Sequence, residues 1–155
     1  MTNLQLLSKL KYDHDCKNTP SFAKYMPVDK FTDKTANGLE KAIVMWINIH
    51  GGMAERRGNT GRYIDDSKIV TDRLGFKRKL GKGKYIPGTG TNGTSDVSGL
   101  YNGIPLAIEV KIGRDRQSPA QVEYGERFNA AGGKYVVVKT FDEFVEFWKK
   151  LLNVH

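Results

Sequence analysis

The stretch from Ser95 to Lys111 constrains the fold more than any other part of this sequence. Ile104, Leu106, Ile108 and Val110 alternate with Pro105, Ala107, Glu109 and Lys111. A period of two puts the aliphatic side chains on one face of an extended strand and Ala107, Glu109 and Lys111 on the other. Asn102-Gly103 just before it is a dipeptide suited to a two-residue hairpin turn, so Ser95 to Tyr101 reads as the antiparallel partner. Helical patterns surround this hairpin. Leu39, Ala42, Ile43, Trp46 and Ile47 share one face of a helix that begins near Asn37 and ends at Gly51-Gly52, with Asn37 and Glu40 spaced as a capping box. A second helix opens at Ser118-Pro119, where Gln121 completes a box, and stops at Gly132-Gly133. Tyr135 to Val138 reads as a short buried strand. Thr140 and Glu143 then lead a helix with Phe144, Val145, Phe147, Trp148, Leu151 and Leu152 on its apolar side. The order helix, strands, helix, strand, helix predicts one α/β domain: a central mixed β-sheet flanked by helices.

The remaining stretches are less regular. Residues 1–35 are expected to form a polar N-terminal lead-in of short or irregular structure, because no period is clear and Pro20 and Pro27 disfavour long helices. The main domain is expected over residues 36–155. Within the lead-in, Asp13-His14-Asp15-Cys16 reads as a solvated run, since consecutive polar residues rarely converge on one ion. Residues 53–73 suggest short extended segments around a turn at Gly58-Asn59-Thr60-Gly61. From Arg73 to Ser95 there is no acid and there are six cations, Arg73, Lys77, Arg78, Lys79, Lys82 and Lys84, which suggests a basic, mobile loop beside a strand. Gly88-Thr89-Gly90-Thr91-Asn92-Gly93 satisfies G-x-G-x-x-G, but Thr94 to Tyr101 reads as a strand, whereas a dinucleotide site needs these glycines to open a helix.

Composition narrows the partners. The chain has 155 residues, 25 Lys and Arg against 17 Asp and Glu, and a net charge of +8, a balance that favours a polyanion such as nucleic acid. No apolar run approaches the roughly 20 residues of a membrane span, so no membrane partner is expected. A single cysteine, Cys16, excludes an internal disulfide framework and a multi-cysteine zinc site, and points to a reducing, intracellular setting.

The chemistry concentrates on the hairpin. Glu109 and Lys111 share a strand face, and pairing through Asn102-Gly103 brings Asp96 toward Glu109 at one end of the sheet. Two carboxylates at close range repel unless a cation lies between them, and an oxygen-rich site suits Mg²⁺. The carbonyl of Val110 could add a ligand.

These residues carry a resemblance. Ser95-Asp96, Glu109-Val110-Lys111 and Ser118-Pro119-x-Gln121, in this order, resemble the PD-(D/E)XK nuclease superfamily, and more closely its VRR-NUC (virus-type replication–repair nuclease) branch. The likeness runs from about Thr35 to Phe141 and includes Asn37-Gly38-Leu39-Glu40, Glu55-Arg56-Arg57-x-Asn59-Thr60-Gly61 and Gly132-Gly133-Lys134-Tyr135. It departs at Ser95, where the motif has its proline, a position that shapes backbone and carries no chemistry. The resemblance implies a restriction-endonuclease-like core of helix, three-stranded meander, helix and strand, with Mg²⁺ or Mn²⁺ at the sheet. By position it implies that Asp96 and Glu109 bind the metal and that Glu40 adds an acid to the metal site. Lys111 would orient or help deprotonate the attacking water and offset phosphate charge, and Gln121 would position the lysine or the DNA. Stand-alone members resemble junction resolvases that act as homodimers, so branched or four-way-junction DNA is the expected substrate class. Lys77, Arg78, Lys79, Lys82 and Lys84, together with Arg56 and Arg57, are the candidate phosphate contacts. The runner-up from another class is a non-catalytic basic DNA-binding module, which the charge alone would satisfy.

Overall fold

A computed structural model describes residues 1–58, 62–86 and 91–153. Most of the turn expected at 58–61, and residues 88–90 of the glycine-rich loop, lie outside the described residues. The described chain forms two compact units, one made of residues 1–57 and 92 onward, the other of residues 58–91.

The first unit contains, in order, α1 (Asn3–Asn18), a 3₁₀ turn (Pro20–Tyr25), α2 (Ala36–Ile49) and β1 (Met53–Arg56). The second contributes β2 (Arg62–Ile64), β3 (Lys68–Thr71), β4 (Lys77–Leu80) and β5 (Lys84–Ile86). The first unit resumes with β6 (Val97–Tyr101), β7 (Ile104–Val110), α3 (Pro119–Ala130), β8 (Lys134–Val138) and α4 (Phe141–Leu152).

One four-stranded mixed sheet, in the order β1-β6-β7-β8, organises the first unit. β1, β6 and β7 form an antiparallel meander, and α3 carries the chain over to β8, which lies parallel to β7. The β6–β7 hairpin turns at Asn102 and Gly103, with φ of 47° and 79°. Positive φ at both central residues marks a type I′ turn, whose twist matches the strands. The sequence of helix, meander, helix and parallel strand is the core order that the resemblance implied, and the α/β class is as expected.

The apolar face of β7 is sealed by helices. Leu39, Ile43 and Ile47 of α2 and Phe141, Phe144 and Trp148 of α4 bury against Val97, Leu106, Ile108, Val110 and Val138. The N-terminal lead-in is a correction. Instead of irregular structure, residues 3–18 form a 16-residue helix whose Leu7 is fully buried in this core, packed on α2 and α4. Thr2 and Gln5 close a reciprocal capping box at its start, and both prolines lie beyond its end. Asp33 then accepts the N–H of Phe141 at 3.1 Å, tying the segment after α1 to the first turn of α4.

Capping differs in two places from the expectation. α2 starts one residue earlier, with Thr35 as N-cap accepting the Gly38 N–H at 3.1 Å, so Asn37 and Glu40 do not form a box. Gly38 fits there because a Cβ would strike the Thr32 carbonyl. At α4, Thr140 accepts the Glu143 N–H, but the Glu143 carboxylate takes the N–H of Lys139. The Ser118–Gln121 box of α3 is reciprocal, as expected.

The second unit is also a correction. The stretch expected as a loop supplies two strands, β4 and β5. β3 pairs β4, β2 pairs β5, and the two ladders share one register, so 62–86 is a single antiparallel ribbon interrupted at 65–67 and 81–83. Its charged side chains hid the strands, because both faces lie open and no apolar alternation is needed. Among the described residues, no helix is long and apolar enough to cross a membrane.

Candidate active site

The site grows out of the β6–β7 register. Val97 pairs with Ile108, so one more step places Asp96 opposite Glu109. Backbone groups hold Asp96 from two sides. Its side chain accepts the Val110 N–H at 2.8 Å, and its carbonyl accepts the Arg57 N–H at 2.7 Å. Ser95, where the motif has its proline, is buried, and its hydroxyl donates to the Val97 carbonyl at 3.0 Å. It shapes the entry to β6 from within.

Glu109 is a carboxylate at 1% exposure. Its Oε1 accepts from Lys111 Nζ at 3.0 Å and from Gln121 Nε2 at 2.5 Å. Its Oε2 is buried with no hydrogen-bond partner among the described residues. Burial pushes the Glu109 carboxyl up to about 7; Lys111 pulls it back, and the negative charge of Asp96 pushes it higher. Lys111 is itself buried and also reaches Asp115 Oδ2 at 3.3 Å. Burial works against its charge, yet Glu109 and Asp115 outweigh that cost and hold its pKa above the ordinary lysine value. It is a fixed ammonium, suited to orienting water and offsetting charge rather than to accepting a proton.

Gln121 does both jobs that its position allowed. Its Oε1 accepts the Ser118 N–H at 2.9 Å, and its Nε2 grips Glu109. The capping box therefore aims the amide at the site, and α3 lies on the Glu109 face of the sheet. Two further residues join the site that the sequence reading missed. Asp115 follows Lys111 by four positions, a spacing legible only once the turn after β7 is known. Tyr135 sits opposite Ala107 in the parallel β7–β8 ladder, on the Glu109 face, and its hydroxyl accepts from Gln117 Nε2 at 3.1 Å. Burial and the negative charges of Glu109 and Asp96 push the Tyr135 phenol up to about 12, so it stays neutral. Its ring closes on Gly125 of α3, where an alanine Cβ would lie 2.7 Å from a ring carbon.

Glu40 is engaged by Arg56, whose Nε donates to its Oε2 at 2.6 Å. It does not join Asp96 and Glu109: no group of three or more metal-ligating acids, histidines or cysteines exists among the described residues. Arg57 donates to the Ser98 hydroxyl at 3.2 Å. Lys77, Arg78, Lys79, Lys82 and Lys84 are all exposed on the ribbon, with Arg78 near Asp72 at 3.6 Å and Lys79 paired with Asp65 at 3.0 Å.

No family model and no curated protein matches this sequence. The oxygens of Asp96 and Glu109, one of them buried and unpartnered, are hard donors. Mg²⁺ and Mn²⁺ suit such oxygens, and Mg²⁺ commonly takes one or two carboxylates and keeps several waters. Val110 turns its N–H toward Asp96, and in an extended strand its carbonyl lies on the same edge.

Proposed function

We propose that this chain is a metal-dependent DNA endonuclease that hydrolyses phosphodiester bonds, with branched DNA as its substrate class and a homodimer as its working form. The single observation that carries the reading is Glu109: a buried carboxylate with one oxygen held by Lys111 and Gln121, the other unpartnered, and a second carboxylate beside it. Burying such a pair costs stability, and a role in binding a cation accounts for keeping it. A DNA-binding module has no use for two clustered acids, which repel phosphate.

Asp96, Glu109 and the Val110 carbonyl are the groups that would hold Mg²⁺ or Mn²⁺. When bound, such an ion lowers the pKa of water and neutralises phosphate oxygens. The protein's own groups do the rest. Lys111, fixed between Glu109 and Asp115, presents a permanent positive charge to the scissile phosphate. Gln121 keeps Glu109 from rotating, and the backbone bonds on Asp96 fix the second carboxylate. The Tyr135 phenol stays neutral and adds no negative charge where phosphate must approach. Hydrolysis by water needs no nucleophilic side chain. Two symmetric copies would incise two strands of one junction.

The test is a panel of labelled duplex, flap, single-strand and four-way-junction DNAs with Mg²⁺, Mn²⁺ or EDTA, using wild type and Glu109→Gln. The expected result is metal-dependent, symmetric incision of the junction by wild type, with Glu109→Gln binding DNA but not cutting. Cleavage in EDTA, or full activity of Glu109→Gln, would refute the mechanism. Binding by both proteins with no cutting under any metal would leave the basic binding module as the better description.

A further inference from the structure

The tip of the 62–86 ribbon is held by a dense set of hydrogen bonds. β3 and β4 are joined by five residues, Asp72 to Phe76, with Gly75 at φ 85°, where L side chains are strained. Asp72 locks this loop. Its N–H donates to the Phe76 carbonyl at 3.0 Å, and its carbonyl accepts the Gly75 N–H at 3.0 Å. Its Oδ1 also accepts the N–H groups of Leu74 at 2.9 Å and Phe76 at 3.0 Å. The fastened loop presents two large apolar side chains to solvent, Leu74 at 82% exposure and Phe76 at 65%. Neither belongs to the hydrophobic core. A tight turn of this kind needs no leucine or phenylalanine for its own stability, and exposing them costs solubility.

The flanks say what covers them. Residues 58–91 carry eight Lys and Arg against three Asp, a net of +5 out of the chain's +8. Arg73, Lys77, Arg78 and Lys79 adjoin the tip itself, and all are exposed. A second copy of the chain would bring the same positive charge and be repelled, whereas DNA offers phosphates to the cations and stacked bases to the apolar tip. Apolar wedges inserted between base steps are a recurrent way to unstack and bend DNA. The ribbon also has no Asn or Gln over residues 62–86, so it lacks the usual side chains for reading adenine edges.

We propose that the 62–86 ribbon is a DNA-opening pin, in which Leu74 and Phe76 insert at an unpaired or weakly stacked step while Arg73, Lys77, Arg78 and Lys79 hold the flanking phosphates. The inference deepens the nuclease reading and rests on it for DNA as the ligand. It gives that reading a structural cue: a branch point, where stacking is already broken, is the cheapest place to enter.

The experiment uses the full chain in EDTA, so that no strand is cut. A three-way junction and a matched duplex carry aminopurine at the branch or at the same sequence, and its fluorescence rises when the base unstacks. Wild type should raise the junction signal and bind the junction more tightly than the duplex. Leu74→Ser with Phe76→Ser, both at exposed positions, should abolish the rise and lower the junction-over-duplex affinity ratio by roughly tenfold, with duplex affinity and its salt dependence unchanged. Lys77→Ser with Lys79→Ser should weaken both DNAs alike and flatten the salt dependence. Unchanged fluorescence and junction preference in the Leu74/Phe76 variant would overturn the pin. So would a shift of that variant from dimer to monomer in sedimentation, or wild-type binding to anionic phosphatidylglycerol vesicles that outcompetes DNA. Cleavage by wild type is scored separately with Mg²⁺. Unstacking without cutting sinks the nuclease reading and keeps the pin, and cutting without unstacking does the reverse.

Discussion

Glu109 is where sequence chemistry and folding energetics pull against each other. Its neutral form is favoured in the folded protein, with a pKa of about 7 against 4.5 for the free side chain. Between those values the folded state holds more protons than the unfolded one. The stability contributed by the neutral carboxyl is therefore fully present below pH 4.5 and is lost as pH rises through about 7. For metal-free protein the expected loss across that window is on the order of 3 kcal/mol at most. Denaturant titrations at a series of pH values in EDTA should show this slope, and Glu109→Gln should flatten it. Adding Mg²⁺ near neutral pH should raise the melting temperature of wild type but not of Glu109→Gln, because an ion that binds the folded state stabilises it. Gln121 permits a finer separation. Ser118→Ala removes one capping bond and should cost about 1 kcal/mol of stability while leaving cleavage near wild type. Gln121→Ala should cost a similar amount of stability and also slow cleavage by at least about tenfold, because it frees Glu109 as well. Equal cleavage rates in the two variants would show that Gln121 is only a cap. The Asp96, Glu109 and Lys111 cluster was legible in the sequence because a two-residue turn and a period of two determine it locally. Glu40 is the opposite case. Its capping spacing and its likeness to a metal-site acid were both visible, but its partner Arg56 arrives from β1, beyond the end of α2.

Among the elements, α1 was hidden and β6–β7 was plain. Thr2 and Gln5 carry the spacing of a capping box, and Leu4, Leu7 and Leu10 recur every three positions. The signal was there, but Lys9 among the leucines and the charged run Lys11 to Lys17 after them weaken the periodicity, and Pro20 and Pro27 drew attention to a region beyond the helix. Burial decides the question: Leu7 reaches the core, where the exposed face of α1 needs no pattern. Leu7→Ala should therefore destabilise the protein by about 2–5 kcal/mol, the usual cost of truncating a buried leucine, read from the midpoint of urea unfolding. A loss near zero would mean that α1 does not hold the core. The partnership of Tyr135 with the Glu109 face was hidden for a different reason. β7 and β8 are parallel, and the crossover through α3 leaves no turn residue to announce their register. β4 and β5 were hidden because strands with both faces exposed have no apolar alternation to read.

At the scale of the whole molecule, the chain leaves the α/β unit after Arg57 and re-enters it before Asp96, and these two ends are already joined. The Arg57 N–H donates to the Asp96 carbonyl at 2.7 Å. An insertion whose exit and entry are neighbours can be removed without stretching the scaffold, and a short flexible linker closes such a gap at small entropic cost. Replacing residues 59–91 by a brief Gly-Ser linker should leave the core intact, since the buried cluster of α1, α2, α4 and the four-stranded sheet contains no residue of the ribbon. Cooperative unfolding and stabilisation by Mg²⁺ should survive, because Asp96, Glu109, Lys111 and Gln121 all lie outside the deleted segment. DNA affinity should fall, because the deletion removes five of the eight net positive charges. The logarithm of the binding constant should also vary less steeply with the logarithm of salt concentration. Weak residual cutting at low salt, without preference between junction and duplex, is the expected activity. If the shortened chain instead bound and cut junctions as wild type does, substrate choice would have to reside in the α/β unit, and the ribbon would be relieved of both the phosphate contacts and the pin.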